Sequence, residues 1–409
     1  MSRRRRKRKK WGKSAAVICT LAVLCLGGAA VVRILPDVID ETRETFQSAV
    51  PQQAEFPELT VTEEEVSGSF YFDCLTEEEQ TVYRELLQGV NGMEETIRLH
   101  AGNSMDTAKV YEYLLYDRPE LFWCDGSSRM TVYPDYTEFS PGYTCSRETR
   151  DSRQAEIDSA AEQCLAGMPA DSSEYERIRY VYEYLVDTVD YDQEAPDDQN
   201  IYSALVGKRS VCAGYSRSAQ FLLGRTGIRC IYVTGTVAGQ SAHAWNIVSC
   251  GGNWYQMDVT FGDPVFLEEE SGEHLSADSI NYDYLCCTDE EIMIDHLQDD
   301  FVEYPACVSD DLNYYKMNGM YYNDYDPQTV LQAMNQSIYA GEESFVCKFQ
   351  EGEVYKEARE GVIRDLLPRA AQNLASYYSL SSVKYTYSPD DSHCKITIFW
   401  DYGEGKKDK

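Results

Sequence analysis

The sequence lacks the ligand spacings that are typical of zinc sites, because its 14 cysteines form no Cys-x-x-Cys motif. It also lacks a repeat at the periods of solenoid proteins. Its acidic stretch NDYDPQ has neither the glycine nor the final glutamate of an EF-hand loop, so a turn that caps the following helix is the better interpretation. We therefore expect no metal site and no bound cofactor.

Basic residues are scarce beyond the N-terminus. Ten of the 37 Lys and Arg precede residue 34, so the remaining 27 stand against all 69 Asp and Glu, and this part carries a formal charge of −42. Such an acidic body repels the phosphates of nucleic acids and anionic lipid surfaces. We expect no nucleic-acid partner, and a surface charge that mainly favours solubility.

A long uncharged run occurs at the start of the chain. Residues 15–32 contain no charge and are just long enough to cross a bilayer as a helix. Eight consecutive basic residues, 3–10, precede this run and favour a cytoplasmic N-terminus. The pattern predicts a basic cytoplasmic segment at 1–13 and a transmembrane signal anchor at 14–33.

This anchor implies a location for the rest of the protein. We expect a single-pass protein of the cell membrane with an extracellular C-terminal body, which contacts the membrane through its N-terminal helix and meets a protein or peptide substrate at the cell envelope. A cleaved signal peptide is the alternative, because Gly28 and Ala30 provide small residues at a cleavage position.

The segments before the central part predict a linker and an accessory module. Residues 34–68 are rich in Glu, Thr, Val and Pro with little periodicity, which is typical of a linker. Order is expected from residue 69, where Thr76 and Glu79 form the pattern of a capping box before an amphipathic helix. A second helix and short aromatic strands complete an N-terminal α/β module at 69–168.

The last hundred residues change character again. Residues 307–409 predict an α+β module with a helix from Pro327, a strand SFVCKF and two closing strands, SVKYTYS and KITIFWDY. The pair Asn318-Gly319 predicts the turn of a hairpin.

The stretch SVCAGYSRSAQ, residues 210–220, places a cysteine at the start of a predicted helix. Ser210 is a good N-cap residue, which would put Cys212 in the first helical turn, and Gly227 can end the helix. A thiol at this position feels the positive end of the helix dipole, which lowers its pKa and favours the reactive thiolate.

Three strand-like runs follow this helix: RCIYVTGTV, AHAWNIVSC and NWYQMDVTF. Glycine-containing turns separate them, which is typical of an antiparallel meander. A two-residue turn at Gly251-Gly252 would place Trp245 opposite Asp258, so that His243 lies on the same face of the sheet, diagonal to Asp258. An odd loop or a bulge would put the histidine and the aspartate on opposite faces.

Cys212, His243 and Asp258 in this arrangement form a candidate catalytic triad. The imidazole can take the thiol proton and later protonate a leaving amine, while the carboxylate fixes the useful tautomer of the ring. The Cys212 N–H is a candidate oxyanion donor. Taken singly, each residue has an ordinary structural interpretation, and neither His274 nor His296 has a comparable setting.

The segments SALVGKRSVCAGYSRSAQFLLGRTGIRCIYVTG, AHAWNIV and NWYQMDVTFGDP resemble the transglutaminase-like superfamily of papain-related cysteine enzymes. The resemblance covers roughly residues 170–305 and implies a membrane-anchored, bacterial-type member with a catalytic domain at 169–306. Its implied fold class is α+β, with a cysteine helix packed on an antiparallel sheet that carries the histidine and the aspartate.

The implied activity is acyl transfer from an amide through a thioester. Transfer to an amine gives transamidation, and transfer to water gives deamidation or proteolysis. The family also includes members without activity, so a catalytically silent scaffold that serves as a cell-surface binding or adhesion protein is the alternative.

Other cysteines and tryptophans leave further alternatives open. Cys230 and Cys250 would face each other, and could form a disulfide, if the turn of their hairpin is centred near residue 240. The vicinal Cys286-Cys287 and the pair of Cys347 with Cys394 are further disulfide candidates. Trp245 and Trp254 share the face of His243 by parity, where they would either line the active cleft or belong to the core. Asp263, before Pro264, is most simply a turn residue.

Overall fold

The computed structural model describes residues 55–237, 241–263 and 280–402. Several of its helices begin at capping boxes. In each of these, a Ser or Thr side chain accepts from the N–H of the third helical residue, and the side chain of a Glu at that third position accepts from the N–H of the Ser or Thr. Thr76 with Glu79 and Ser173 with Glu176 are examples. The capping box predicted at Thr76 is confirmed.

In the described ranges the α-helices, in chain order, are α1 (Glu63–Val66), α2 (Phe70–Asp73), α3 (Glu77–Asn91), α4 (Thr107–Asp117), α5 (Arg147–Ala166), α6 (Glu174–Thr188), α7 (Cys212–Arg225), α8 (Val259–Gly262), α9 (Asp289–Ile292), α10 (Tyr314–Met317), α11 (Pro327–Ala340), α12 (Glu353–Gly361) and α13 (Leu367–Tyr378).

The strands of the same ranges are β1 (Ile97–Leu99), β2 (Cys124–Val132), β3 (Thr137–Tyr143), β4 (Asp190–Tyr191), β5 (Arg209–Ser210), β6 (Cys230–Val237), β7 (Ser241–Cys250), β8 (Asn253–Met257), β9 (Leu285–Cys287), β10 (His296–Gln298), β11 (Tyr321–Tyr322), β12 (Ser344–Phe349), β13 (Lys384–Asp390) and β14 (Lys395–Asp401).

A five-stranded antiparallel sheet in the order β10-β6-β7-β8-β9 forms the centre of the fold, and α7 packs against its strands β6 and β7. A three-stranded antiparallel sheet, β1-β3-β2, precedes it in the chain. A four-stranded sheet, β11-β12-β14-β13, follows it. This mixture of helices and mainly antiparallel sheets confirms the predicted α+β class.

Two large hydrophobic clusters hold these layers together. The first contains buried residues from Val66 to Cys307 and includes the apolar face of α7, where Ala219, Leu222 and Leu223 have no exposed surface. The second contains buried residues from Val330 to Tyr402 under the four-stranded sheet. Val66 lies within the segment predicted as a linker, and the boundaries of the predicted modules stay predictions.

The predicted hairpin at Asn318-Gly319 is wrong. Asn318 instead caps the C-terminus of α10, and Gly319 adopts a φ of 69°, the left-handed conformation that often follows a helix end. The strand that comes next, β11, pairs in parallel with β12. An Asn-Gly pair supplies the same positive φ to a helix cap as to a hairpin, so the local sequence did not distinguish the two.

The segment predicted to cross the membrane, 14–33, lies outside the described residues. Across the residues that are described, every helix is too short or too polar to cross a membrane. The longest of them, α5, has 20 residues but is densely charged. On this finding the predicted single-pass localisation in the cell membrane, with an extracellular body, is corrected: the structure does not support it.

Candidate active site

Cys212 is the first residue of α7, and it is partly exposed. The predicted cap was wrong by one residue, because Val211 in extended conformation is the N-cap and no side chain caps the helix. Being the first helical residue, Cys212 has no intrahelical acceptor for its N–H. Its thiol and its amide are therefore both placed at the positive end of the helix dipole.

Ser210 has a different role from the predicted one. Its hydroxyl is buried and lies 2.7 Å from the carbonyl oxygen of Asp198 and 2.6 Å from the hydroxyl of Ser203. A Cβ at Gly214 would come within 1.8 Å of this hydroxyl oxygen and 2.9 Å of the Asp198 oxygen. The loop can lie this close to the first turn of α7 only because residue 214 is glycine, and this contact fixes the position of Cys212.

His243 lies on β7, and β7 pairs with β8 in the register that the sequence predicted. The turn at Gly251-Gly252 pairs Cys250 with Asn253 and, further along, Asn246 with Met257. The observed ladder ends at this last pair, one residue before the predicted pair of Trp245 with Asp258, and Asp258 is the N-cap of α8. His243 and Asp258 therefore reach each other diagonally across two neighbouring strands.

The carboxylate of Asp258 is fully buried and uses both of its oxygens. It caps α8, where Oδ1 accepts from the N–H groups of Thr260 at 2.8 Å and Phe261 at 3.2 Å. Its Oδ2 lies 2.6 Å from Nε2 of His243 and 2.9 Å from Nε2 of His296. The helix cap fixes the carboxylate, and the carboxylate in turn fixes the plane of the His243 ring.

The thiol of Cys212 lies within hydrogen-bonding reach of His243. Since Nε2 of the ring faces Asp258, Nδ1 is the nitrogen left for the thiol. The structure thus brings together Cys212, His243 and Asp258, the three residues singled out in the sequence, in the order sulfur, imidazole, carboxylate. This arrangement can move a proton between the thiol and the ring.

Electrostatics favour a charged histidine in this site. Burial lowers the pKa of His243, but the charge of Asp258, its hydrogen bond and a smaller contribution from Cys212 raise it to about 10. For Asp258, burial raises the pKa, and the two histidines at Oδ2 outweigh this effect and hold it well below its usual range. An imidazolium paired with a carboxylate is the state that can stabilise a neighbouring thiolate.

Sequence reasoning missed His296, which it judged to have no comparable setting. The residue begins β10, a strand of three residues at the edge of the central sheet, and its ring is fully buried against Asp258. A three-residue strand is too short to show an alternating pattern. The sequence therefore carries no local signal for this contact.

The structure shows where Trp245, Trp254 and Asp263 lie relative to the site. Trp245 is fully buried, its indole N–H donates to Gln256 at 2.8 Å, and its ring lies beneath the two site histidines, so it belongs to the core. Trp254 is partly exposed and lies under the guanidinium of Arg229. Asp263 is buried and accepts from the Tyr215 hydroxyl at 3.0 Å, so it also anchors the end of α8.

The predicted disulfides are absent from the described part of the chain, where all twelve cysteines are free. Cys230 pairs with Val248, two residues away from Cys250, because the β6–β7 register differs by two residues from the one assumed. Cys347 pairs with Ile396 and so lies away from Cys394 on the same ladder. A shift of two residues along a strand separates two sulfur atoms beyond bonding distance.

Two groups of side chains in the described ranges have atoms of the types that bind metals. The first group is His243, Asp258 and His296, and the second is Asp283, Asp390 and His393. In each group the nitrogen and oxygen atoms that could bind a metal lie within 4.8 Å of one another. These atoms already bond to one another or to lysine ammonium groups. Hydrogen bonds inside the protein account for both groups, and the expectation of no metal and no cofactor stays a prediction.

Comparison with known proteins places the central segment in a family. Residues 160–259 match the model of the transglutaminase-like superfamily, and this segment contains Cys212, His243 and Asp258. Kyphoscoliosis peptidase of Mus musculus is 26% identical over 106 residues, which cover 22% of this chain and 16% of the mouse protein. The match thus spans only about a sixth of the length of the mouse protein.

Two solved structures also share part of the chain. One, described as a TGase, has 17% identity and a TM-score of 0.25, and the match covers 33% of this chain and 44% of the other. The second, a candidate cysteine protease from Cytophaga hutchinsonii, has 14% identity and a TM-score of 0.24, with 34% and 63% covered. TM-scores this low do not show a shared overall fold.

The central segment is a transglutaminase-like core, and the resemblance seen in the sequence is confirmed at the level of the superfamily. This match applies to residues 160–259 and not to the rest of the chain.

Proposed function

We propose that this protein is a cysteine enzyme that transfers an acyl group from an amide of a protein or peptide through a thioester on Cys212. One observation carries the proposal: the Cys212 thiol reaches an imidazole whose other nitrogen lies 2.6 Å from the buried carboxylate of Asp258. Such a chain of groups supplies a nucleophile, a proton acceptor and a residue that orients the acceptor.

The proposed reaction has two halves. In the first half the Cys212 proton already lies on Nδ1 of the charged His243, the sulfur attacks the amide carbonyl carbon, and the developing oxyanion accepts from the Cys212 N–H. The C–N bond then breaks as His243 returns its proton to the leaving nitrogen, which leaves a thioester on the sulfur. An amine or a water molecule then attacks the thioester carbon and gives a proton to His243, the C–S bond breaks to release the acyl product, and the sulfur and His243 again share that proton.

Two observations support an amide substrate: the chemistry of the site, and the name of the mouse protein that part of this chain matches. The charged histidine can protonate an amine as it leaves, which is the difficult step in cleaving an amide. The matching mouse protein is named a peptidase. The acyl acceptor is left open, so transamidation, deamidation and proteolysis are three forms of the same proposal.

Alkylation of the purified protein tests the nucleophile directly. Iodoacetamide labelling of Cys212 is followed by mass spectrometry across a pH series, with the exposed Cys74 in the same molecule as an internal reference. We expect Cys212 to react below neutral pH, where Cys74 does not, and His243→Ala to remove this advantage. Slow alkylation of Cys212 that does not depend on His243 would instead favour a silent scaffold with a binding role.

Turnover is tested with a peptide library and a labelled primary amine. Incorporation of the label indicates transamidation, conversion of glutamine to glutamate indicates deamidation, and shortened peptides indicate proteolysis. Each product should disappear in Cys212→Ala. If the wild-type protein gives none of the three products, the proposed reaction is wrong.

A further inference from the structure

His296 contacts the same oxygen of Asp258 as His243 does. Its Nε2 lies 2.9 Å from Asp258 Oδ2, and the centroids of the two imidazole rings are 5.4 Å apart. The side chain of His296 is fully buried, and β10 holds it by pairing with β6. This histidine is therefore built into the site from a different part of the chain.

The other nitrogen of His296 also faces a carboxylate. Nδ1 lies 2.5 Å from Oδ1 of Asp295. Ionised carboxylates only accept hydrogen bonds, and an imidazole can donate from both nitrogens only when it is protonated. The geometry fits a positively charged ring held between two carboxylates.

The surroundings of the ring agree with this charge state. Burial lowers the pKa of His296, but hydrogen bonds and charges from Asp258 and Asp295 raise it above its usual value overall. The Tyr284 hydroxyl donates to Asp295 and thus supports the second carboxylate. Among the described residues, the other rings packed around His296 are those of His243 and of the uncharged aromatic residues Trp245, Phe261 and Tyr284.

The two histidines compete for one oxygen. Oδ1 of Asp258 is occupied by two backbone amides, so both imidazoles must share Oδ2. A charged His296 offsets part of the negative charge that Asp258 presents to His243. It also fixes the carboxylate group from a second direction.

We propose that His296 is a positioning residue of the active site, which acts through Asp258. Its N–H holds the carboxylate in the orientation that directs His243 toward Cys212, and its positive charge weakens the hold of that carboxylate on the His243 proton. The inference rests on the proposed function, in which His243 has to release this proton to the leaving nitrogen.

Two substitutions separate the roles of orientation and charge. His296→Gln keeps a donor near Asp258 but removes the charge, whereas His296→Phe keeps a ring of similar size and removes both. The readouts are the titration of the His243 ring by NMR and the alkylation rate of Cys212 against pH. His100→Gln, which changes a histidine paired with Glu85 away from the site, is the matched control.

We expect His296→Gln to raise the pKa of His243 by about one unit, because Asp258 then presents its full charge. We expect His296→Phe to slow Cys212 alkylation about tenfold to a hundredfold, because the ring of His243 is no longer directed at the sulfur. His296→Gln should restore most of that rate. A merely structural role would not raise the pKa of His243 in a folded variant.

Two results would overturn the proposal. One is a His243 titration and an alkylation rate that match the wild type in both variants; the other is a lower pKa of His243 in His296→Gln. If His296→Phe fails to fold in a thermal unfolding assay, His296→Gln alone decides. The NMR titration needs no turnover, so it answers the question about His296 even if the wild-type protein converts no peptide and the proposed function fails.

Discussion

The Ser216 hydroxyl lies 2.8 Å from the carbonyl oxygen of Ala244, and this contact joins the helix that begins at Cys212 to the strand that carries His243. The same hydroxyl lies 2.8 Å from the Cys212 carbonyl oxygen, so its proton is shared between the two acceptors. One side chain thus links the backbones next to the proposed nucleophile and its base.

Removing this hydroxyl should loosen the site. Ser216→Ala leaves the buried Ala244 carbonyl without this donor, and we expect a loss of about 1–3 kcal/mol in the free energy of unfolding together with slower alkylation of Cys212. Ser218→Ala is the matched control, since Ser218 is buried in the same helix and its hydroxyl has no partner among the described residues. Urea denaturation measures both variants, and equal losses would contradict the role assigned to Ser216.

Gly214 should tolerate no side chain. A methyl group there would collide with Ser210 and with the backbone of Asp198, so we expect Gly214→Ala to lower the free energy of unfolding by about 1–3 kcal/mol and to slow Cys212 alkylation. Gly224→Ala in the same helix has open space around the new methyl group, and it should stabilise the protein by up to about 1 kcal/mol. If both variants behave alike, the close approach of the loop does not position Cys212.

The charge of His243 should appear in the pH dependence of stability. Its pKa rises from 6.5 to about 10 on folding. A pKa that rises on folding stabilises the protein fully below the unfolded value, and this contribution is lost as the pH rises through the folded value. We expect the free energy of unfolding of the wild type to fall relative to His243→Gln between those two pH values. A difference between the two proteins that stays constant over this range would contradict the charged state of the ring.

A buried ion cluster beside the site should be sensitive to the loss of its anion. Asp283 lies 2.8 Å from the Lys348 ammonium and also bonds to Lys395, and both of these lysines are largely buried. Asp283→Ala leaves two buried cations without their shared partner, so we expect a loss of about 3–5 kcal/mol in the free energy of unfolding. The exposed pair of Lys356 with Glu353 is the control, and Glu353→Ala should change little.

The same cluster predicts sensitivity to acid. Burial raises the pKa of Asp283, but Lys348 and Lys395 hold it well below its usual value of 3.8. A lowered carboxyl pKa contributes stability above the unfolded value, and this contribution is lost as the pH falls through the folded value. Relative to Asp283→Asn, the wild type should therefore lose stability as the pH drops below about 4. A parallel acid dependence of the two proteins would contradict this account.

Short-range patterns in the sequence predicted the parts of the site that depend on neighbouring residues. The capping box at Thr76, the helix that begins at Cys212 and the turn at Gly251-Gly252 each depend on contacts within a few positions. Because side chains alternate between the two faces of a sheet along a strand, a two-residue turn places His243 and Asp258 on one face. Local pattern therefore singled out the three proposed catalytic residues, and the resemblance of these segments to a known superfamily implied the class of fold.

Only the tertiary structure decided which distant groups meet at Asp258. His296 joins the site from a three-residue edge strand, Ser210 anchors a loop instead of capping a helix, and Cys230 lies opposite Val248 and not Cys250. These contacts depend on strand register and on chain segments that pack together from far apart in the sequence. No local hydrogen-bond pattern or periodicity encodes them, because their energy comes from groups that become neighbours only when the chain has folded.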